Sequence, residues 1–350
     1  MKQVLYLITG AAGHLGITLT QMLCARKEAV RALVLKGDPA AAMLPPEAAV
    51  YEGDVRDKMS LEAFFTAPEG TKCIVIHCAG LVSTASRFFH ALYDINVTGT
   101  KNITDLCIKH KVKQLIYVSS VHAIPVLPKG EVMQEIGSFD PKAVRGPYAK
   151  TKAEATAYVL QAVREQGLNA CIVFPSGICG PFDYGRSHLT QLLIDFFEGR
   201  AKMGIHGGFD FVDVRDVASG ILACCQMGRA GEGYVLSSRY VSVKELFDLF
   251  AEVTGRKRTR LYVPLWLAKC SVPFCSLYYK LRRQPPIYNS YSLYTLSCNA
   301  IFSNEKAKRE LQYQTRPFRE TVVDTYLWLR ENGRFRRKNR RAPVLRPSQA

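Results

Sequence analysis

Val4-Leu5-Tyr6-Leu7-Ile8-Thr9 runs directly into Gly10-Ala11-Ala12-Gly13-His14-Leu15-Gly16. An apolar run stops at a glycine, glycines recur at every third position, and a segment of helical period follows. A strand, a glycine turn and a helix in that order make a seat for a pyrophosphate. The first glycine permits the tight turn, the second lets the backbone approach the phosphates, and the third lets the helix pack closely on the strand. The helix N-terminus adds unbonded N–H groups and the positive end of its dipole. The spacing is G-x-x-G-x-x-G, one residue wider than the G-x-G-x-x-G form. Gly10, Ala12, Gly13, His14, Leu15 and Gly16 are therefore the first candidates for contact with a dinucleotide, with His14 expected in the loop over the pyrophosphate.

Working outward, the sequence predicts strands over residues 4–9, 30–35, 50–52, 73–78, 114–119 and 170–174, with helices between them over 15–24, 61–65, 97–110 and 148–166. Continuous apolar strands separated by helices imply an α/β fold with a parallel sheet covered on both faces. Right-handed crossovers make it doubly wound, a Rossmann sheet with its ligand crevice at the carboxyl ends of the strands. After Pro175 the character changes. Short strands at 209–213 and 234–236 and helices at 187–198, 214–226 and 243–254 alternate with Gly- and Pro-rich loops. The expected organisation is a dinucleotide-binding domain over residues 1–174 and a smaller α/β substrate lobe over 175–333, partly interleaved with the sheet. A disordered basic tail is expected over 334–350.

The chain has 350 residues, enough for a full core, and its 48% hydrophobic and 22% charged content is ordinary for a globular protein. The run after Met1-Lys2 is cut by the glycine turn and is too short for a secretory core. Eleven cysteines, an odd number without a C-x-x-C, lie mostly inside apolar runs. They read as buried thiols of a reducing compartment, which places the protein in the cytoplasm. Neither they nor the seven histidines have metal-ligand spacing, so no metal is expected.

The net charge of +17 is local. Residues 253–304 hold eight Lys/Arg and no acid, and residues 334–346 hold seven more, again with no acid. The rest is close to neutral, so no specific nucleic-acid partner is expected. The tail reads as a solvated extension, with attraction to anionic lipid or acidic polymers as the sharper alternative. Residues 261–281 are the most apolar stretch, but Pro264, Lys269 and Pro273 interrupt it, arguing against a membrane span. It reads as one or two short helices packed on the lobe. The alternative is a peripheral membrane contact through 261–283, where Trp266, Tyr278 and Tyr279 accompany Lys280, Arg282 and Arg283.

Candidate chemistry sits on the helix predicted from Tyr148. Tyr148 and Lys152 are four residues apart and share a helix face. An ammonium beside a phenol favours the phenolate, and such a tyrosine can pass a proton to or from a carbinol oxygen while a nicotinamide handles the hydride. Ser119 and Ser120 follow the strand that ends in Tyr117-Val118, at the edge where ligands sit. Ser119 is expected to cap the strand and Ser120 to orient the substrate oxygen toward Tyr148. His77 and His122 are read as structural.

Thr9–Gly16, Gly53-Asp54-Val55, His77-Cys78-Ala79-Gly80, Asn96-Val97-Thr98-Gly99-Thr100, Tyr117–Ser120 and Tyr148…Lys152 together, in that order, resemble the extended short-chain dehydrogenase/reductases. Residues 211–218 and 303–307 resemble later landmarks of that family, so the likeness covers about residues 3–333. The resemblance implies that Asp54, followed by Val55, contacts the adenine, that Ala79 and Gly80 pass the ribose side, and that Pro175 and Ser176 lie near the nicotinamide. It also implies that Lys152 binds the nicotinamide ribose. Asn96 is expected to order its helix.

Within the family the chain looks closer to the dihydroflavonol reductase and 3β-hydroxysteroid dehydrogenase branch. Sugar epimerases usually carry a third hydroxyl residue after the two serines and a later Tyr-Gly, where this chain has Val121 and Ile124-Pro125. Sugar dehydratases carry Asp-Glu where this chain has Val121-His122. The expected activity is NAD(P)-dependent interconversion of a secondary alcohol and a ketone on an apolar, cyclic substrate. A nucleotide-sugar epimerase or dehydratase and a non-catalytic cofactor-binding regulator are the alternatives. The second strand ends Val34-Leu35-Lys36-Gly37, with neither the acid that reads a free ribose 2′-OH nor an arginine for a 2′-phosphate. Lys36 tips the expectation toward NADP. A homodimer is the default expectation for assembly.

Overall fold

The computed structural model describes residues 4–185, 187–201, 203–281 and 289–335. In chain order the strands are β1 (Val4–Thr9), β2 (Ala29–Val34), β3 (Ala49–Glu52), β4 (Lys72–His77), β5 (Gln114–Val118), β6 (Ala170–Pro175), β7 (Gly177–Cys179), β8 (Met203–Ile205), β9 (Gly208–Asp213), β10 (Gly233–Leu236), β11 (Arg239–Ser242) and β12 (Leu261–Val263). Seven of them form one parallel sheet in the order β10-β6-β5-β4-β1-β2-β3. β1 pairs with β2 on one side and β4 on the other, and Thr9 is level with both Leu33 and His77. The crevice at the switch point of a doubly wound sheet therefore opens above the end of β1.

Alternate side chains of a strand face opposite sides, and here both sides are buried except at the exposed edge strand β3. On one face Tyr6, Ile8, Ile116 and Val173 pack with Ile17, Val217 and Ile221 from the helices His14–Ala25 and Val214–Met227. On the other, Leu5, Leu7, Val75 and Leu115 pack with Ile103, Leu106 and Val159 from the helices Gly99–Lys109 and Pro147–Gln166. Two-sided burial is why these strands read as unbroken apolar runs.

The strand at Tyr234–Leu236, read from sequence with the C-terminal lobe, belongs to the edge of the main sheet, where β10 runs parallel to β6 with Leu236 beside Pro175. A third core forms around Phe196, Phe197, Phe247, Phe250, Tyr326 and Leu329. Beside it stand a three-stranded sheet, β11-β9-β7, and the β12-β8 pair. Buried Asp213 holds Arg215, which also reaches Asp324 at 2.7 Å, and Arg316 holds Asp216 at 2.8 Å. These pairs tie the helix Phe318–Glu331 to β9 and the helix that follows it.

Residues 265–281 form a single helix that continues through Pro273. Among the described residues no helix is long and apolar enough to cross a membrane. The side chains of Tyr278, Tyr279 and Lys280, together with Arg282, Arg283 and the tail beyond Phe335, lie outside the described set. The described cysteines are all free, and no group of described side chains could hold a metal ion.

Candidate active site

The glycine turn behaves as its spacing requires. Gly10 has φ +65°, and a Cβ there would lie 2.7 Å from the Ala79 backbone. A Cβ on Gly16 would strike the Gly10 carbonyl oxygen, so the helix packs hard on the turn. Above Gly13 the space is open, since a Cβ would meet only that same carbonyl at 3.2 Å. The helix starts at His14, and Ile17 N–H makes the bond back to Gly13, at 2.8 Å. The N–H groups of His14, Leu15 and Gly16 thus precede the first helical hydrogen bond and are free for an anion. The His14 ring itself points elsewhere: Nε2 bonds the Pro181 carbonyl at 2.8 Å, and burial lowers its pKa. It is a helix residue tied to the far loop, not a loop residue over the pyrophosphate.

A cavity of about 240 Å³ opens from this turn. Gly10, Ala12, Gly13, Asp54, Val55, Ala79 and Gly80 line it, as do Leu35, Asp38 and Arg56. Turn, free N–H groups and cavity fit the pyrophosphate and adenosine of a dinucleotide. Lys36 is exposed and is not part of the lining, so its expected contact is not made from this cavity. The sequence reading stopped one turn short of Asp38, whose carboxylate accepts Ala40 N–H at 2.9 Å. Asp54 is gripped by Arg56 through both oxygens, and that hydrogen bonding holds its carboxyl below the usual range.

At the ends of β4 and β5 the polar residues interlock. His77 lies between Thr9 Oγ1 at 2.7 Å and Thr100 Oγ1 at 3.1 Å, and burial lowers it to about 3, so it is neutral. Asn96 Oδ1 accepts Leu81 N–H at 2.7 Å, and its Nδ2 reaches Thr151 Oγ1 at 3.2 Å. Asn96 therefore ties the loop after β4 to the helix Pro147–Gln166. Ser119 Oγ pairs with Thr156 Oγ1 at 2.7 Å and faces the same helix. Ser120 Oγ accepts His122 N–H at 3.2 Å.

Tyr148 and Lys152 lie one turn apart in that helix, both buried. Gly146 at φ +100° and Pro147 set the helix start. Lys152 Nζ donates to the Val118 carbonyl oxygen at 2.9 Å and lies 3.4 Å from where a Cβ on Gly80 would be. Structure brings Lys152 to the dinucleotide side of the site, where it can reach a ribose. The expected lowering of the phenol by the ammonium is not present in this state. Burial pushes Tyr148 up to about 12, the Ser120 hydroxyl acts the other way, and burial lowers Lys152 to about 8.

Pro175 ends β6, and Ser176 is spent on a different partner: its hydroxyl bonds buried Asp210, which burial raises to about 6.

A second cavity of about 220 Å³ adjoins Tyr148. Its walls include Val121, Ile124, Met133, Val144, Ala149, Phe209 and Phe302, with Lys142, Arg145, Tyr291, Tyr294 and Asn299. His122 joins it to the phenol: the ring stacks on Phe209 at 5.4 Å and meets Tyr148 edge-on at 5.8 Å. Burial lowers His122 to about 4, so the cavity's charge comes from Lys142 and Arg145 and not from this ring. The Tyr291 ring fills the space a side chain on Gly146 would need. Asn299 Nδ2 clamps the far wall through the carbonyls of Pro128 at 2.9 Å and Glu131 at 2.6 Å. Sequence reasoning missed these walls, because Tyr291, Phe302 and Asn299 are far from Tyr148 in the chain and carry no motif.

A dinucleotide seat beside a Ser-Tyr-Lys group defines the class of nicotinamide-dependent Rossmann oxidoreductases. The comparisons narrow it. Residues 6–237 match the NAD dependent epimerase/dehydratase family, and the chain belongs to that family. It is an oxidoreductase of the extended short-chain type. It is 32% identical to the sterol demethylase protein B of Methylococcus capsulatus, over 93% of this chain and 98% of that protein. It is 29% identical to the 3beta-hydroxysteroid-dehydrogenase/decarboxylase isoform 1 of Arabidopsis thaliana, over 74% of this chain and 62% of that protein. Its fold is shared by the UDP-glucose 4-epimerase of Thermotoga maritima, with a TM-score of 0.75, 21% identity and coverage of 94% and 99%.

Proposed function

We propose that the protein interconverts a secondary alcohol and a ketone on an apolar, cyclic, sterol-like substrate. The observation that carries this is the cavity whose lining includes Val121, Ile124, Val144, Phe209 and Phe302, and whose wall residue His122 meets the Tyr148 ring edge-on. The apolar part of this lining suits a ring skeleton, held mainly by burial of its surface, and Lys142, Arg145 and Asn299 are the polar groups beside it. Relatives whose names refer to sterols or steroids, the two given above among them, support the same substrate class.

Ser120 donates to the reacting oxygen and holds it toward Tyr148. In the reductive direction the phenol, protonated at neutral pH, gives its proton to that oxygen. In the oxidative direction its phenolate accepts the hydroxyl proton, and Lys152, one turn away, is placed to bind the nicotinamide ribose. A bound nicotinamide dinucleotide supplies or accepts the hydride.

Cofactor choice favours NAD over the NADP suggested by Lys36. The adenosine cavity holds the carboxylates of Asp38 and Asp54 against one guanidinium, Arg56, already engaged by Asp54. A 2′-phosphate there would face net negative charge, whereas a free 2′-OH can donate to Asp38.

The test is a panel of 3-hydroxy and 3-keto steroids against a panel of UDP-sugars, read by nicotinamide absorbance and product mass. Net cofactor turnover with the steroids supports the reading. Sugar conversion with no net turnover replaces it with the epimerase or dehydratase alternative, and silence on both panels with intact NAD binding favours the regulator.

A further inference from the structure

The cavity makes no use of the described side chains of the most apolar stretch of the chain, since none of residues 261–273 lines it. Instead that stretch is displayed. Leu261 of β12 is level with Met203 of β8, and the two are 56% and 57% exposed. Past Pro264 the chain enters the helix Leu265–Leu281 with Trp266 at 67% and Leu267 at 45% exposure. Trp266, Cys270 and Pro273, all exposed, recur at helical spacing and share a face. Apolar side chains displayed together in this way mark a contact surface.

The charge around this surface identifies what it meets. Lys257, Arg258 and Arg260 precede β12, Lys269 lies on the helix, and all four are exposed. No acid occurs anywhere in residues 253–304. Among the described residues Lys257, Arg260 and Lys269 have no ion-pair partner, and Arg258 has only a 3.9 Å contact with Asp248. A displayed tryptophan and leucines flanked by unpaired cations complement an anionic lipid surface, with the apolar groups at the headgroup boundary and the cations among the phosphates.

We propose that residues 261–273, with Met203, dock the protein peripherally on an anionic membrane. The helix Leu265–Leu281 packs against the helix Ser290–Ser297, which supplies Tyr291, Tyr294 and Thr295 to the cavity wall. Docking therefore brings the cavity close to the lipid phase, and, resting on the proposed function, lets an apolar substrate dissolved in the bilayer reach Tyr148 with little passage through water.

The experiment uses the full chain and vesicles of phosphatidylglycerol and phosphatidylcholine, with phosphatidylcholine alone as the control. The protein has two tryptophans, and Trp328 is only 7% exposed, so a blue shift in emission on vesicles reports Trp266. The expected result is salt-sensitive binding to the anionic vesicles with that blue shift. L261Q/L267Q and K257E/R260E each lower the partition constant at least about tenfold, with the thermal midpoint unchanged. The proposal is overturned by no binding, or by binding that both variants retain without a Trp266 shift, which would assign it to the basic tail. A blue shift accompanied by self-association without vesicles would assign the surface to a second copy and overturn it too. Vesicle binding is scored without turnover, so failure of the steroid panel leaves this result standing on its own.

Discussion

The ammonium of Lys152 donates to the carbonyl oxygen of Val118 at 2.9 Å. The cation is thereby fixed to the end of β5, the strand that delivers Ser119 and Ser120. Together with the bond between Ser119 and Thr156, it ties the helix carrying the phenol to the strand edge carrying the hydroxyls.

Lys152 carries a pH signature. Burial lowers its pKa from 10.5 to about 8. Between those values the unfolded chain still holds the proton that the folded chain has released, so stability rises with pH through this window. Below about pH 8 the buried charge costs its full amount. Relative to K152M, the wild type should gain about 3 kcal/mol as pH rises from 8 to 10.5. Urea unfolding at a series of pH values reads this directly. Parallel curves for the two proteins would mean that Lys152 is not desolvated.

Tyr148→Phe tests the proton-transfer group. The ring and its edge contact with His122 are retained, so the fold and NAD binding should stay close to wild type. Turnover should fall about a hundredfold or more, the usual worth of general acid catalysis. A variant retaining a tenth of the wild-type rate would remove Tyr148 from the mechanism.

The two adjacent serines should separate cleanly. Ser119 bonds buried Thr156, so Ser119→Ala should cost about 1 kcal/mol of stability with turnover largely kept. Ser120→Ala should do the reverse, lowering kcat about a hundredfold with little change in melting. Loss of kcat in the Ser119 variant without loss of stability would exchange their roles.

Much of this was legible in the sequence. Six of the main-sheet strands were read within a residue or so at most ends; in all but the exposed edge strand β3, burial on both faces makes the apolar runs continuous. That Tyr148, Lys152 and Ser120 lie close together was legible from spacing, since a helix turn and a strand end are local geometries. What was not legible depends on partners distant in the chain. Nothing near Gly146 announces that the Tyr291 ring fills its empty side. Tyr234 looked like a lobe strand because pairing with Val173 is decided by a crossover, not by local pattern. The phenol pKa was misjudged because sequence spacing shows that Lys152 is near but not that both groups are buried, and burial is what pushes Tyr148 up. Asp38 was overlooked because the strand end was taken as the limit of the ribose site, whereas the chain turns at Gly37 and brings the next acid back to the cavity.

Gly10→Ala should weaken both fold and cofactor site. At φ +65° with a Cβ 2.7 Å from the Ala79 backbone, the methyl must displace β4's exit loop. A loss of about 1–3 kcal/mol is expected, with NAD no longer raising the melting temperature. An NAD-induced shift equal to that of the wild type would show that the turn does not carry the pyrophosphate.

Asp38 gives the sharpest test of cofactor choice, provided its two jobs are separated. Its carboxylate caps the short helix Pro39–Met43 through Ala40 N–H and also lines the adenosine cavity. Asp38→Asn keeps an oxygen for the cap and removes the charge, so melting should change little. If the carboxylate excludes a 2′-phosphate, the ratio of kcat/KM for NAD over NADP should fall at least about tenfold, equivalent to about 1.4 kcal/mol of lost discrimination. The change should come mainly from better use of NADP, because the repulsion is what has been removed. An unchanged ratio with an intact cap would clear Asp38 of any part in the choice and return it to Arg56 and Lys36.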